Sequence, residues 1–387
     1  MSSIYAAGDY KSVGSYPPTG IDVLVRHPIF RHWPEMIREY EDISMGNAWL
    51  ETFTHSGERI IPPIKVSDRL RHEKMDSNTS PGTFQMRPLI YKMLLHQAEK
   101  LGVNIQFGKK VVDYSEDAMR EKAVAITDQE ERFEADVVIA ADGVGSKSQK
   151  LVGGQVRSMS SGRAIWRASF SSEHLDKHPE SRVVLTRPGT IIWVMNHDVT
   201  GSEEENWTHT VEFDEVINTM DKGVGPVPWA PIFKELVKLT PRQTIINFEL
   251  FWRNPQPSWC SPGGRVIQIG DAAHSFLPAS GNGGTQAIED DVSLASCLQV
   301  GGKKNIPSAQ PKAPRWVWEH DPEKYAYENY HKMANTIKEG IPFDQVDTVP
   351  PNYHPGYLYQ PWSIDQIMED ARNGKTVVLG DGDWDWF

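Results

Sequence analysis

The stretch GDAAHSFLPASGNGGTQAIEDD, Gly270 to Asp291, follows the apolar run Val266 to Ile269. Asp271 stands directly after a strand end and a turn glycine. Ligands of α/β sheets sit at the carboxyl ends of the strands, and a carboxylate there can accept a hydrogen bond from a sugar-type hydroxyl. Ala272 and Ala273 leave room beside it for a large flat group. Gly281, Gly283 and Gly284, with Asn282 among them, let the backbone approach a ligand closely. The helix that follows is expected to carry Ile288, Val292, Ala295 and Leu298 on one face, with Glu289 and Asp290 in its first turn. Its N-terminus would point back at the ligand and stabilise negative charge. A redox ring that becomes anionic on reduction fits such a site. A tight strand–loop–helix connection with no ligand is the plainer reading of the same residues.

His274, next in this stretch, has the chemistry of a general base or of a structural hydrogen-bond partner. The remaining histidines are scattered along the chain, and no metal is expected. Two cysteines, Cys260 and Cys297, supply neither a disulfide framework nor a cysteine-rich metal site. A net charge of -12 argues against nucleic acid or an anionic membrane as a partner. No apolar run approaches the length of a bilayer span, and the N-terminus lacks a basic-then-apolar leader pattern, so a cytoplasmic location is expected. The thirteen tryptophans suit either an aromatic pocket or core packing.

The elements that would position these residues follow an α/β pattern at both ends of the chain and a β pattern between. Ile29 to Tyr40 is a short amphipathic helix candidate, and Glu51 to Ile61 reads as strand and turn. Met86 to Leu101 is expected to be a helix, with Pro88 in its first turn, Gly102 as its stop, and Ile90, Met93, Leu94, Ala98 and Leu101 on one face. Val103, Ile105 and Phe107 then alternate as a strand. Ala123 to Thr127 and Arg132 to Ala135 suggest a hairpin. The run DVVIAA, Asp136 to Ala141, fits a strand buried on both faces. From about Gly162 to Arg253 the runs RAIWRASF, RVVLTR, TIIWVMNH, WTHTVEF and QTIINFELFW predict an antiparallel sheet, interrupted by one helix near Pro231 to Leu239. RVIQIGD restores the α/β pattern. A Pro/Lys-rich linker precedes a helix near Pro322 to Glu339, and Asp321 suits its cap. The tail beyond Pro342 is Pro- and Asp-rich.

Three motifs, in order and at matching spacing, resemble the single-component flavin-dependent aromatic hydroxylases, the group of p-hydroxybenzoate and salicylate hydroxylases. They are FQMRPLIYKML, ADVVIAADGVGSK, and GDAAHSFLP with GNGGTQAIED. The resemblance covers roughly Gly20 to Tyr330, and the style of the sheet region resembles the fungal secondary-metabolism branch. It implies an α/β, Rossmann-like FAD-binding domain made discontinuous by an inserted antiparallel-sheet substrate domain, with a C-terminal helical tail. The expected boundaries are 1–155 and 263–300 for the FAD-binding parts, 156–262 for the substrate domain, and 301–387 for the helix and tail. It further implies that Arg87 reaches the FAD phosphate and ribose region. Asp142 and Gly143 would lie near the FAD pyrophosphate and the nicotinamide donor. Asp271, Ala272, Ala273, His274, Gly281, Asn282, Gly283 and Gly284 would contact the flavin, His274 mainly as a structural residue, and Pro278 would shape the loop over its reactive face. Gly20 matches a glycine beside the cofactor. Arg167, in AIWRASF, matches an arginine that holds a phenolate; a surface or salt-bridged arginine on a sheet is its plainer reading.

The departures carry information too. The family's opening strand, G-x-G-x-x-G and helix have no counterpart here. The stretch from Gly14 to Gly20 cannot replace them, because Pro17 and Pro18 cannot open the helix. A first βαβ unit of roughly 30 residues is therefore expected to be missing from the sheet. Three explanations stand: an N-terminal piece lost from this sequence, a truncated product, or a protein that works without tightly bound flavin. Gln149 stands where the middle motif usually has a basic residue. The tyrosine often paired with the phenolate-holding arginine is replaced in TIIWVMNHD by Trp193 or Met195.

The resemblance implies an FAD-dependent monooxygenase with NAD(P)H and O2 as co-substrates. Oxygen added to the reduced flavin would pass, through a flavin hydroperoxide, to an aromatic or polyketide- or terpenoid-type metabolite as a hydroxyl or epoxide. The alternative, motivated by the absent opening unit, is a flavin-free relative acting as a non-redox cyclase, an isomerase or a small-molecule-binding protein.

Overall fold

Helical and strand periodicities sort this chain into small sheets bridged by helices. The computed structural model describes residues 18–19, 34–43, 49–65, 85–153, 158–171, 173–174, 190–199, 209–222, 227–254, 256, 258–275, 283–302 and 322–339, together with 366, 369 and 373. The residues on which the missing first unit and Gly20 depend lie outside the described residues. So do Pro278, Gly281, Asn282, the run RVVLTR, the linker with Asp321, and almost all of the tail.

Helix α1, Pro34–Asp42, buries Met36 and Tyr40, four residues apart on one face. A hairpin follows, β1 (Trp49–Phe53) and β2 (Arg59–Lys65), and its tip rests on the helical cover of the larger sheet through Phe53 and Phe233, with ring centroids 5.9 Å apart. Helix α2, Arg87–Lys100, has Pro88 in its first turn as expected. It buries Ile90, Met93 and Gln97, which turn toward α1 and, through Ile288 and Val292, toward the helix of the glycine-rich stretch. The expected apolar face is corrected: Leu94 is 39% and Leu101 65% exposed. Val103, Ile105 and Phe107 do not form a strand and remain 54%, 37% and 51% exposed. Alternation alone cannot make a strand, which needs a neighbouring ladder, and the described residues supply none at this place.

The next three strands, β3 (Val111–Asp117), β4 (Lys122–Thr127) and β5 (Arg132–Ala135), form an antiparallel meander. The expected hairpin is its second half. Strand β6, Val138–Ala140, pairs in parallel with a strand far along the chain, Val266–Gln268. Its expected burial on both faces is corrected, since Ile139 is 43% exposed. Among the described residues this parallel pair is a two-stranded sheet.

Between them in sequence lies a four-stranded antiparallel sheet. It is built from β7 (Ser158–Ser171), β8 (Thr190–Asp198), β9 (Thr210–Val211) and β10 (Ile245–Arg253), in the order β8-β7-β10-β9. Two helices, α3 (Phe213–Lys222) and α4 (Pro231–Lys238), cover one face. Trp166, Phe170, Trp193, Met195, Met220, Trp229 and Val237 interdigitate there. Each such side chain contributes about 1.5–3 kcal/mol by leaving water. These tryptophans are core residues, and Trp193 satisfies its indole N–H by donating to Thr240 Oγ1 at 3.0 Å.

Helix α3 corrects the expectation of a single helix in this region. Among the described residues of the run WTHTVEF, Thr210 and Val211 pair as a strand, and Phe213 opens a helix. The signal was present: Phe213, Val216, Ile217 and Met220 fall at helical spacing, with Asp214 and Glu215 in the first turn.

The strand opposite β6, β11 (Val266–Gln268), is fully buried. Helix α5, Gly283–Gly301, seats Leu294 against Ile267 and Ile269. Helix α6, Pro322–Lys338, packs Tyr330 and Ala334 on Cys297, Leu298 and Val300 at the far end of α5. Among the described residues no helix is long and apolar enough to cross a membrane.

Candidate active site

Register brings the two motif turns together. Ala140 pairs with Gln268 in the parallel ladder, and the Ile269 N–H donates to the Ala140 carbonyl at 3.2 Å. Asp142–Gly143 and Gly270–Asp271 therefore leave neighbouring strands at the same, carboxyl end. Both turns use a glycine where a side chain is excluded. Gly143 has φ +77°. Gly270 has φ +55°, and a Cβ built there would stand 3.1 Å from the Ala287 Cβ on α5. Left-handed backbone at these two points lets each strand turn within a residue or two.

Each turn is locked by its own polar contacts. In the first, Tyr114 on β3 donates its hydroxyl to Asp142 Oδ2 at 2.9 Å. Burial, and then the Asp142 carboxylate, raise this phenol above its ordinary range, so it stays protonated. The buried Asp142 Oδ1 has no hydrogen-bond partner among the described residues. Ser146 and Ser148, just beyond, bond to each other at 2.6 Å, and Gln268 Nε2 of β11 donates to Ser148 Oγ at 2.8 Å. That network ties the first turn to the strand that feeds the second.

In the second turn, Asp290 of α5 is the anchor. Its Oδ2 accepts the Gly270 N–H at 2.8 Å and lies 2.7 Å from His274 Nε2. With its proton on Nε2, His274 donates to this carboxylate. Trp259 lies against the imidazole, with centroids 4.9 Å apart. Gln256 Nε2 donates to both the Ala272 and Ala273 carbonyls at 2.8 Å. Ala272 and Ala273 are buried. Glu289, beside Asp290, is fully enclosed; burial first, and then the neighbouring Asp290, push its carboxyl up to about 9. It is a neutral acid at neutral pH, and its Oε2 accepts from Gln286 Nε2 at 2.9 Å.

The expected position of these two acids is corrected. Helix α5 begins at Gly283, so Glu289 and Asp290 sit in its second turn and face inward. Ala295, expected on the apolar face, is exposed. The first turn of α5 carries no acidic residue, and the opening N–H groups of a helix have no partner within the helix itself.

One further carboxylate organises the approach to the site. Glu116 on β3 accepts the Gly263 N–H at 2.9 Å, the Arg265 N–H at 2.7 Å and the Ser261 hydroxyl. It fixes the turn that delivers β11 into the sheet. Burial pushes the Cys260 thiol up to about 12 and the Cys297 thiol up to about 11, so both stay protonated at neutral pH.

Of the residues singled out in the sequence, Asp142, Gly143, Asp271, Ala272, Ala273 and His274 fall on the two facing turns. Gly283 and Gly284 open α5. A Cβ at Gly283 would meet nothing within 4 Å among the described residues. Arg87 opens α2, the helix that packs on α5. Arg167 lies mid-strand on β7, opposite Val194 and Ile246, on the face turned away from α3 and α4. It is buried, with its guanidinium 5.8 Å from the centroid of the fully buried Phe248. Tyr114, Glu116, Gln256 and the anchoring role of Asp290 were not foreseen. Their partners lie 16 to 149 residues away, and no local pattern records such distances.

Comparison with known proteins agrees with this geometry. A family model described as an FAD binding domain matches residues 44–301. An FAD-dependent monooxygenase of Cryptosporiopsis sp. is 32% identical over 434 residues, covering 94% of this chain and 82% of that protein. One of Gibberella fujikuroi is 31% identical, covering 92% and 80%. Among solved structures, FqzB superposes with a TM-score of 0.68 at 24% identity, covering 89% of this chain and 90% of the other. CtdE in complex with FAD and a substrate gives a TM-score of 0.68 at 21% identity, covering 83% and 89%. Fold, facing turns and relatives converge: this chain belongs to the FAD-dependent monooxygenases, an oxidoreductase family built on an FAD-binding domain.

Proposed function

We propose that this chain is an NAD(P)H- and O2-dependent monooxygenase that hydroxylates or epoxidises an aromatic or polyketide- or terpenoid-type secondary metabolite. In this reading the parts 1–155 and 263–300 form the FAD-binding domain. The part 156–262 supplies the substrate wall, and 301–387 is the helix and tail. The observation that carries it is the meeting of the Asp142–Gly143 and Gly270–Asp271 turns at one end of a parallel strand pair.

These residues fit a flavin nucleotide. Asp142 Oδ1 is a buried acceptor in need of a donor among the described residues, and a sugar-type hydroxyl supplies one. The first turn of α5, which carries no acidic side chain and has space at Gly283 among the described residues, suits an anionic ligand. Asp142, Gly143, Asp271, Ala272, Ala273, Gly283 and Gly284 would hold the cofactor in this chain, with Arg87, Gly20, Pro278, Gly281 and Asn282 as the family resemblance adds them. When bound, FAD supplies the redox chemistry: reduced by NAD(P)H, it activates O2 so that one oxygen atom enters the substrate and the other leaves as water.

The protein's own part is placement. Asp290 and Gln256 hold the Gly270–Ala273 backbone rigid. His274 is engaged with Asp290, which supports a structural role for it over that of a general base. Arg167, with Phe248 beside it, offers a cation on an apolar wall, the pairing that orients a phenolate or enolate and keeps water from it.

The test is aerobic NADH and NADPH oxidation by the FAD-loaded chain, with phenolic and enolic polyketide-type compounds. The reading expects substrate-stimulated oxidation and a product heavier by one oxygen atom drawn from labelled O2. NAD(P)H consumption that no compound stimulates, with no labelled product, would sink it.

A further inference from the structure

We propose that Tyr114 is a positioning residue for Asp142: its hydroxyl holds one carboxylate oxygen and reserves the other, Oδ1, for a hydroxyl of the bound flavin nucleotide. This rests on reading the Asp142–Gly143 turn as a flavin contact.

The argument starts from what Tyr114 touches. Its ring is buried on β3 among Ala123, Ala125, Ala140 and Val266, all small or aliphatic. A phenylalanine would pack there equally well. Only the hydroxyl reaches polar company, at Asp142 Oδ2, 2.9 Å away and 28 residues along the chain. A carboxylate accepts and never donates when ionised, so the proton of this bond belongs to the phenol. Burial and the facing carboxylate both keep that proton in place at any working pH.

The bond has two consequences for Asp142. It fixes the carboxylate in one rotamer, in a turn whose next residue is already set by the left-handed backbone of Gly143. It also satisfies one oxygen and leaves Oδ1 buried with no partner among the described residues. A buried acceptor in that state is costly until a ligand donates to it. The negative charge selects the donor: a phosphate is repelled, whereas a hydroxyl is accepted. The ribityl and ribose portions of FAD carry such hydroxyls.

The experiment titrates FAD into the purified, flavin-stripped chain by quenching of flavin fluorescence. It compares wild type, Tyr114→Phe, Asp142→Ala and the double variant. Tyr114→Phe is expected to keep the thermal midpoint within a few degrees and to weaken FAD binding about tenfold, the lower end for a bond to a charged group. If Tyr114 acts through Asp142, the phenylalanine change has no further effect once Asp142 is alanine. A purely packing role predicts instead that the two losses multiply.

An unchanged dissociation constant in Tyr114→Phe, or multiplying losses in the double variant, overturns the proposal while leaving the flavin reading intact. A Tyr114→Phe chain that no longer folds makes the hydroxyl structural and overturns it as well. A wild-type chain that takes up no FAD removes the flavin-contact reading, and this proposal with it.

Discussion

Glu289 gives a pH dependence whose sign and size follow from its surroundings. The carboxyl is fully enclosed on α5 next to Asp290, and it titrates at about 9 in the folded protein against an ordinary value of 4.5. Between those two values the folded chain holds a proton that the unfolded chain has released. Stability from this group is therefore complete below about pH 4.5 and falls as pH rises toward 9. One such proton gives a slope of about 1.4 kcal/mol per pH unit, so the loss from pH 6 to pH 8 is about 2.7 kcal/mol. Glu289→Gln keeps the shape and keeps an oxygen to accept from Gln286 Nε2. It cannot ionise. Urea unfolding of both chains at pH 6, 7 and 8, followed by tryptophan fluorescence, reads the difference directly. Groups common to both proteins largely cancel in that difference. The glutamine variant is expected to gain on the wild type by about 2.7 kcal/mol across this range. Parallel stability curves would show that Glu289 is ionised or solvated in the folded chain, and the reasoning would fail.

Two other substitutions probe the scaffold of the site. Asp290→Ala strips the acceptor from the buried Gly270 N–H and from His274, and should lower stability by about 3 kcal/mol. For a chain of this length that corresponds to a drop of about 4 °C in the thermal midpoint by calorimetry; Asp290→Asn, which keeps one acceptor oxygen, should recover at least half. Glu116→Ala releases the Gly263 and Arg265 N–H groups. Gly263 is exposed and water can replace its lost partner, so the loss should be only about 2 kcal/mol. Amide hydrogen exchange should then quicken at Gly263 and Arg265 before it quickens in α5.

Sequence legibility followed the range of the interactions. Helix α2 and its Pro88, the β4–β5 hairpin, β6, β7, β10 and α6 carry their own local signals, and each formed close to its expected place. The Val103–Phe107 alternation did not become a strand, because pairing depends on a neighbour that the segment itself does not encode. Helix α3 was hidden because threonine and valine before Phe213 advertise a strand, whereas the described strand there, Thr210–Val211, is only two residues long. At the site, the glycines and Asp142, Asp271 and His274 were legible, since motif spacing marks them. What secures them was not. Asp290 reaches back 20 residues to Gly270, and Glu116 reaches forward 147 residues to Gly263. Such tertiary partners leave no periodic trace, and Tyr114 within an apolar strand looks like packing until its hydroxyl is followed to Asp142.

The most direct test of the central claim is cofactor uptake by this polypeptide itself. The purified chain, incubated with FAD and passed through gel filtration, should leave the column with a flavin absorption spectrum at about one FAD per chain. NADH or NADPH without oxygen should then bleach that spectrum. A folded chain that elutes colourless after incubation with excess FAD would contradict the account, and would favour the flavin-free reading of the same pocket.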